Sequence, residues 1–415
     1  MLPNTVASLC LAGRATTAVL AMLIAGCGGG SSNNGELQST TNLSAYAALP
    51  VPTVVPMELT ESQRAEVAAA ARSWAVETLI TRDGGFPENG VVLPPLYFAR
   101  VQAVAAAASG TTLALLRRAI PVPTDNAIVA ALTSGLRRSI SASAEASVMR
   151  TFMDTVTARE HPDTWESLSL EPLSASRLAA SPNLRMQIVD ELVLNIGWPA
   201  VSEFDGVFVD DAGARVRSRM LRISGPTLTR SDGIAKSVAL SLPQERWLIS
   251  ITPQQALESL SAASLNLILA STITWLGTAT AVPSSLQPLV LPLQATFRPL
   301  GIYDIRGMEE AQSVTQADLR GIDGKGGTFA ELSSSGSILN ITAAGLQVFG
   351  FSAVSFIFSP DNRFGGGVVT TQLVALPPVA CAGFDLRSSY LVLIDKLGRI
   401  EMAARFSRVG GAPCS

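Results

Sequence analysis

The sequence predicts an α+β fold, with helices in the first part of the chain and mainly antiparallel strands after them. Apolar residues recur at helical spacing in segments between 60 and 120, whereas from 188 onward they alternate or run in short stretches bounded by turn residues. The composition supports a large core, because 47% of the 415 residues are hydrophobic and only 15% are charged. Helices first and antiparallel strands later, feeding one core, are typical of α+β proteins.

Helices are predicted over 60–80, 95–108 and 111–120, and Thr60 stands at the capping position of the first. Two β-hairpins are predicted over 207–223 and 238–251, because an Asp/Gly-rich or Pro-containing turn separates two runs of strand-forming residues in each.

The first 26 residues have the features of an export signal peptide. Arg14 is the only charged side chain before Cys27, and an apolar stretch over 18–25 follows it. This stretch is too short to span a bilayer as a helix but has the length of a signal-peptide core. The sequence Leu-Ile-Ala-Gly-Cys over 23–27 resembles the bacterial lipoprotein box, which implies cleavage before Cys27 and acylation of that cysteine. The alternative is an ordinary cleaved signal in which Cys27 has no special role.

A flexible tether is predicted after the anchor, because residues 28–42 are mostly Gly, Ser, Asn and Thr. We assign 27–57 to the lipid anchor and tether. Several acyl chains hold a protein to a bilayer where a single chain does not. The predicted location is therefore the cell envelope. Gly29, rather than an aspartate, stands at position two after the cysteine, which by resemblance to enterobacterial lipoproteins implies the outer membrane, on its periplasmic or surface face.

The charge balance limits the partners of the chain. Loss of Arg14 with the signal makes the formal net charge of −3 one unit more negative, and no basic stripe is present. This balance argues against nucleic acid as a partner. We expect a monomer that contacts the membrane through its N-terminal lipid.

Two cysteines remain beyond the anchor, Cys381 and Cys414. An even pair in an oxidising compartment predicts a disulfide. The alternative is a metal site, but two thiols without further ligands are a poor zinc site. The single histidine, His161, precedes Pro162 in a polar segment, which predicts a surface turn rather than a catalytic base. Neither common glycine-rich phosphate loop is present. We therefore predict no enzyme activity, no catalytic residue, no cofactor and no metal.

Several segments resemble the serpin family in the expected order and at nearly the expected spacing. They are Val92–Phe98, Ser109–Thr112, Leu115–Ile120, Val189–Trp198, Phe204–Met220 and Phe384–Phe406. Ser389 and Asp190 depart from the family, which has proline and asparagine at these positions. The resemblance implies a serpin-like domain over 58–409, with N-terminal helices packed on a large mixed or antiparallel main sheet and a second, smaller β-sheet core. Residues 410–415 are assigned to a C-terminal tail.

The resemblance implies an inhibitor of serine proteases that works by switching its fold. In this family a protease cleaves an exposed bait loop, whose N-terminal part then inserts into the main sheet as a new central strand. We place the bait loop at about 354–383 and its hinge at Val354-Ser355-Phe356-Ile357. Counting back from Tyr390 puts the scissile bond at Val374–Ala375, which suits an elastase-like protease, whereas counting from the hinge puts it nearer Thr370.

The predicted hinge lacks the small residues that the family's inhibitors have there. Phe356 and Phe358 alternate with Ile357, so apolar groups would stand on both faces of an inserted strand. Pro360 has no amide donor and should be excluded from a central strand. A second interpretation is that 345–358 form one long strand and that 368–376 pair back onto it. The alternative function is thus a non-inhibitory serpin-fold binding or structural lipoprotein.

Overall fold

The computed structural model describes only part of the chain, and the statements below concern that part. It consists of residues 59–80, 89–119, 126–143, 146, 148, 171–172, 183–255, 257, 260–278, 287–293, 295, 298–299, 310–313, 316–358, 379–381 and 384–414. Cys27, His161 and the segment 359–378, which includes Val374 and Ala375, lie outside the described residues.

Five helices lie in the described ranges. They are α1 (Glu61–Ile80), α2 (Pro94–Ala107), α3 (Gly110–Ala119), α4 (Asn126–Thr133) and α5 (Ala262–Thr278). The first three confirm the predicted helices to within one residue at each end. A capping box begins α1, because Thr60 Oγ1 accepts from the Gln63 amide at 3.2 Å and Gln63 Oε1 accepts from the Thr60 amide at 2.9 Å. None of the described helices is both long and apolar enough to cross a bilayer.

A seven-stranded sheet forms one part of the β-structure. Its members are β1 (Gly90–Val92), β7 (Thr227–Ser231), β8 (Ala235–Leu242), β9 (Arg246–Pro253), β11 (Arg298–Pro299), β15 (Ser389–Ile394) and β16 (Ile400–Phe406). Their order is β11-β1-β16-β15-β9-β8-β7. Every residue of β15 and β16 is buried, as expected of strands covered on both faces. The hairpin predicted over 238–251 is β8 and β9.

A second sheet has five strands. They are β5 (Ala200–Val209), β6 (Arg215–Ser224), β10 (Leu289–Pro292), β14 (Asp385–Arg387) and β17 (Ala412–Pro413). The order is β10-β6-β5-β14, and β17 pairs with β6. The predicted hairpin over 207–223 is confirmed, and Asp210 Oδ1 accepts from the Ala214 amide across its turn at 2.7 Å. Within the segment predicted as a tail, Ala412–Pro413 form β17 and pair with β6.

The third sheet, called the central sheet below, also has five strands. They are β2 (Arg137–Ala142), β3 (Glu171–Pro172), β4 (Leu184–Gly197), β12 (Thr328–Thr342) and β13 (Gly345–Phe358), in the order β12-β13-β4-β2-β3. Helix α2 packs against β13 and β4. N-terminal helices together with mostly antiparallel sheets confirm the predicted α+β class, and the β-core outside the central sheet consists of two sheets.

Candidate functional site

Strand β13 lies inside the central sheet, between β12 and β4, and it follows β12 through a short turn. Its pairing with β12 runs antiparallel from Gly345 opposite Thr342 to Phe358 opposite Thr328. Its pairing with β4 is also antiparallel and runs over nearly the same length. Strands β12 and β4 therefore point in the same direction. Without β13 between them they could meet only as a parallel pair, which is slightly less stable per residue.

The turn between β12 and β13 consists of Ala343 and Ala344. Thr342 Oγ1 accepts from the Ala344 amide at 3.2 Å, and Trp198 Nε1 donates to the Thr342 carbonyl at 2.7 Å. A Cβ atom on Gly345 would lie 2.3 Å from the Ile196 carbonyl oxygen, so only glycine allows the strands to approach this closely. This reversal was not predicted from the sequence. Its signal is the small-residue run Ala-Ala-Gly after a strand.

The residues predicted as the hinge lie inside β13 rather than at a reversal of the chain. Val354, Ser355 and Phe356 are buried, and Ile357 is half-buried at the last position paired with β4. The predicted single strand over 345–358 is confirmed. Its partners are β12 and β4; residues 368–376, the predicted partner, lie outside the described residues.

Apolar residues on both faces of β13 are accommodated by its central position. Phe356 is fully buried in the hydrophobic core, whereas Phe358 remains 39% exposed at the end of the strand. The Arg185 guanidinium lies 4.9 Å from the centre of the Phe358 ring, which is a cation–π distance. Phe356 and Phe358 share one face of β13, and Ile357, on the other face, is half-buried. The apolar groups on both faces are thus at least partly covered within the sheet.

A row of polar residues crosses three strands of the central sheet. Ser352 on β13 stands opposite Asp190 on β4, and Asp190 stands opposite Arg138 on β2. Arg138 Nε lies 2.7 Å from Asp190 Oδ1, and Arg138 Nη2 donates to the Ala99 carbonyl of α2 at 3.1 Å. All three side chains are almost fully buried. The aspartate at 190, where the serpin pattern has asparagine, is therefore explained by the buried arginine beside it.

A second buried arginine reaches this row from the helical side. Arg100 of α2 is fully buried, and its Nε donates to Ser352 Oγ at 2.7 Å. Burial lowers the pKa of the Arg100 guanidinium to about 10, although the negative charge of Asp190 opposes this effect. Arg100 and Arg138 are the two largest fully buried side chains among the described residues. The site is thus a cluster of buried charges beside β13.

The far end of the predicted bait loop is attached to the second sheet. The predicted disulfide joins Cys381 to Cys414. The Val379 amide donates to the Pro413 carbonyl, and the Cys414 amide donates to the Arg215 carbonyl at the start of β6, each at 2.8 Å. Within the described ranges, no three His, Cys, Asp or Glu side chains are grouped so as to hold a metal ion. Both ends of 359–378 are therefore held by sheets.

Comparison with known proteins identifies the fold. No protein-family model matches the chain, and no curated protein matches it significantly. Among solved structures it is similar to a loop C-sheet serpin polymer, with a TM-score of 0.58, 13% identity, and 87% of this chain and 99% of that one covered.

Two further similar structures are a loop-inserted cleaved ovalbumin mutant and tengpin, a thermophilic serpin, in its latent state. The ovalbumin mutant has a TM-score of 0.58 and 11% identity, with 82% of this chain and 99% of that one covered. Tengpin has a TM-score of 0.58 and 13% identity, with 86% of this chain and 100% of that one covered. At such low identity the likeness concerns the fold alone.

Proposed function

We propose that this protein, which has the serpin fold, is a non-inhibitory serpin-fold protein that binds its partners non-covalently at the cell envelope, where acylated Cys27 holds it. The observation that carries this proposal is the position of β13. In serpin-type inhibition the bait loop becomes the central strand only after cleavage. Here the strand that follows the turn at Ala343–Ala344 already fills that place.

An occupied centre leaves the protein without the driving force for trapping a protease. Insertion distorts a protease because a new strand gains two sets of main-chain hydrogen bonds while the protease is still attached. In this chain β13 already has both neighbours, β12 and β4. Cleavage after Phe358 would therefore release no further strand, and the acyl-enzyme would hydrolyse.

The chain is long enough to reach this arrangement without cleavage. Gly345 lies beside Gly197, three residues before β5 of the second sheet, whereas Phe358 lies at the opposite end of β13. The 14 residues of β13 span about 45 Å. Residues 359–378 can cover roughly 65 Å when extended, so an uncut chain can return to β14.

A second candidate function is inhibition of an elastase-like serine protease. It is favoured by the apolar bait-like sequence Leu-Val-Ala-Leu-Pro over 373–377, which includes the predicted scissile bond Val374–Ala375. For this function β13 would have to be outside the sheet before the protease arrives.

Incubation with elastase distinguishes the two functions. We expect cleavage within 359–378, no denaturant-stable complex on electrophoresis and no rise in Tm after cleavage, because no strand remains to be inserted. The matched control is Val374→Pro with Ala375→Pro, which removes the predicted elastase site. A denaturant-stable complex together with a large increase in Tm would establish the inhibitor and exclude our proposal.

A further inference from the structure

Arg100, a buried charged residue of α2, is hydrogen-bonded to Ser352 of β13. The position of β13 is what separates the two candidate functions. Ser352 lies near the middle of β13, at 1% exposure, and accepts from Arg100 Nε at 2.7 Å. This contact joins residues 252 positions apart in the sequence. It exists only while β13 occupies the centre of the sheet in its present register.

The buried charges around this contact give the Ser352 hydroxyl its role, which is to accept a hydrogen bond from a buried guanidinium. Two guanidiniums, those of Arg100 and Arg138, share the neighbourhood of one carboxylate, Asp190. Asp190 is engaged by Arg138 through both of its oxygens, at 2.7 and 3.4 Å. A buried cation is strongly disfavoured unless hydrogen-bond acceptors replace its water. Ser352 Oγ supplies such an acceptor to the Nε of Arg100.

We propose that Arg100 is a positioning residue that keeps β13 in the central sheet through its hydrogen bond to Ser352. The inference rests on the proposed function, since it concerns the same strand. A one-residue slip of β13 would turn Ser352 to the opposite face of the sheet. The hydrogen bond therefore forms only when β13 is in the sheet and in its present register. Removing β13 would leave the Arg100 guanidinium without this acceptor.

The matching serine on the other face of β13 provides a control. Ser355 is also buried, at 4% exposure, and its Oγ accepts from the neutral side-chain amide of Gln187 at 3.1 Å. Replacement of either serine by alanine removes one hydroxyl from the same strand. Only the replacement at 352 takes an acceptor away from a buried charge.

Amide hydrogen exchange of the full chain tests the proposal. A hydrogen bond to a charged group contributes about 1.5–3 kcal/mol, so Ser352→Ala should raise the exchange rates of the amides of β13 by about 10- to 100-fold. Ser355→Ala should raise them by roughly tenfold or less, because its bond joins neutral groups. The amides of β8 and β9, in the seven-stranded sheet, report any general loss of stability and should change little.

A double variant separates the effect of the Arg100–Ser352 hydrogen bond on β13 from a general loss of stability. Arg100→Met combined with Ser352→Ala removes both the buried charge and its acceptor, so exchange in β13 should fall back toward the wild-type rate. Ser352→Thr retains the hydroxyl and should also remain close to wild type.

Equal exchange in Ser352→Ala and wild type, or no recovery in the double variant, would overturn the role of Arg100. Rapid exchange of β13 in the wild-type protein would instead contradict the central position of the strand and with it the proposed function.

Discussion

At the residue scale, the structure is distinguished by ionic side chains placed where a serpin-type sheet needs a stable centre. Asp190 and Arg138 form an ion pair at 2.7 Å, with side-chain exposures of 2% and 1%. Replacement of a whole buried pair by apolar groups is often tolerated, whereas loss of one partner leaves a buried charge without compensation. The sequence alone identified Asp190 as a departure from the family pattern but not the arginine that accounts for it.

Asp190→Asn should therefore destabilise the protein strongly. The expected loss in the free energy of unfolding is about 3–5 kcal/mol, because Arg138 stays buried without its opposite charge. Urea unfolding measures it. The control is Asp205→Asn, since Asp205 pairs with Arg217 at 2.8 Å but both side chains are about half exposed. Asp205→Asn should lower the free energy of unfolding by about 1 kcal/mol or less. If both variants lost a similar free energy of unfolding, burial would not make the Asp190–Arg138 pair more important for stability than an exposed pair.

Gly345 offers a second test at this scale. Gly345→Ala places a Cβ against the Ile196 carbonyl, and overpacking of this kind costs about 1–3 kcal/mol. Gly326→Ala is the control, because Gly326 is exposed and its added Cβ meets nothing within 4 Å. Thermal unfolding of both variants gives the comparison. A Gly345→Ala protein as stable as the control would mean that the turn at Ala343–Ala344 relaxes without penalty.

At the scale of elements, the residues on both sides of 359–378 are attached to sheets, by the hairpin of β12 and β13 on one side and by Cys381 on the other. The hairpin places one end of 359–378 at Phe358, whose amide donates to the Asn183 carbonyl at 2.8 Å. The Cys381–Cys414 disulfide and the Val379 amide hold the other end to the C-terminal residues beside β6. The residues that flank 359–378 on both sides are therefore attached to sheets.

The disulfide should stabilise the fold without holding β13. Its cysteines are 33 residues apart, and closing a loop of that size contributes about 3–4 kcal/mol on the chain-entropy model. Cys381→Ser with Cys414→Ser should lower the free energy of unfolding by that amount in denaturant titrations. Amide exchange in β13 should change only as far as global stability does. A selective rise in β13 would show instead that the disulfide supports the central strand.

At the scale of the whole molecule, the serpin fold is expected to be displayed on a lipid anchor. The described helices include none that could span a bilayer, and Cys27 lies outside the described residues. If acylated Cys27 holds the protein at the membrane, as we propose, Cys27→Ser should abolish incorporation of labelled palmitate and move the protein from the membrane fraction to the soluble one. Cys10→Ser, within the predicted signal, is the control and should leave both unchanged. Palmitate incorporation that persists in Cys27→Ser would exclude this anchor.

Several elements of this protein follow from local sequence patterns, because helical and strand periodicity, capping residues and turns depend on neighbouring residues. Helix α1 with its cap at Thr60, the two hairpins and the single strand over 345–358 were all predictable in this way. The pairing of Cys381 with Cys414 could also be predicted, since only these two cysteines follow Cys27 in the sequence.

The pairing partners of the strand over 345–358 depend on tertiary packing and are not visible in the sequence pattern. Periodicity indicates that a segment is extended, but it does not state which strands lie beside it. The neighbours β12 and β4 come from segments more than a hundred residues apart, and Arg100 meets Ser352 across 252 positions. Such partners are chosen by the burial of a whole sheet and by compensation of charge within it. The segment over 345–358, whose sequence resembled the start of a bait loop, is for this reason an interior strand of the central sheet.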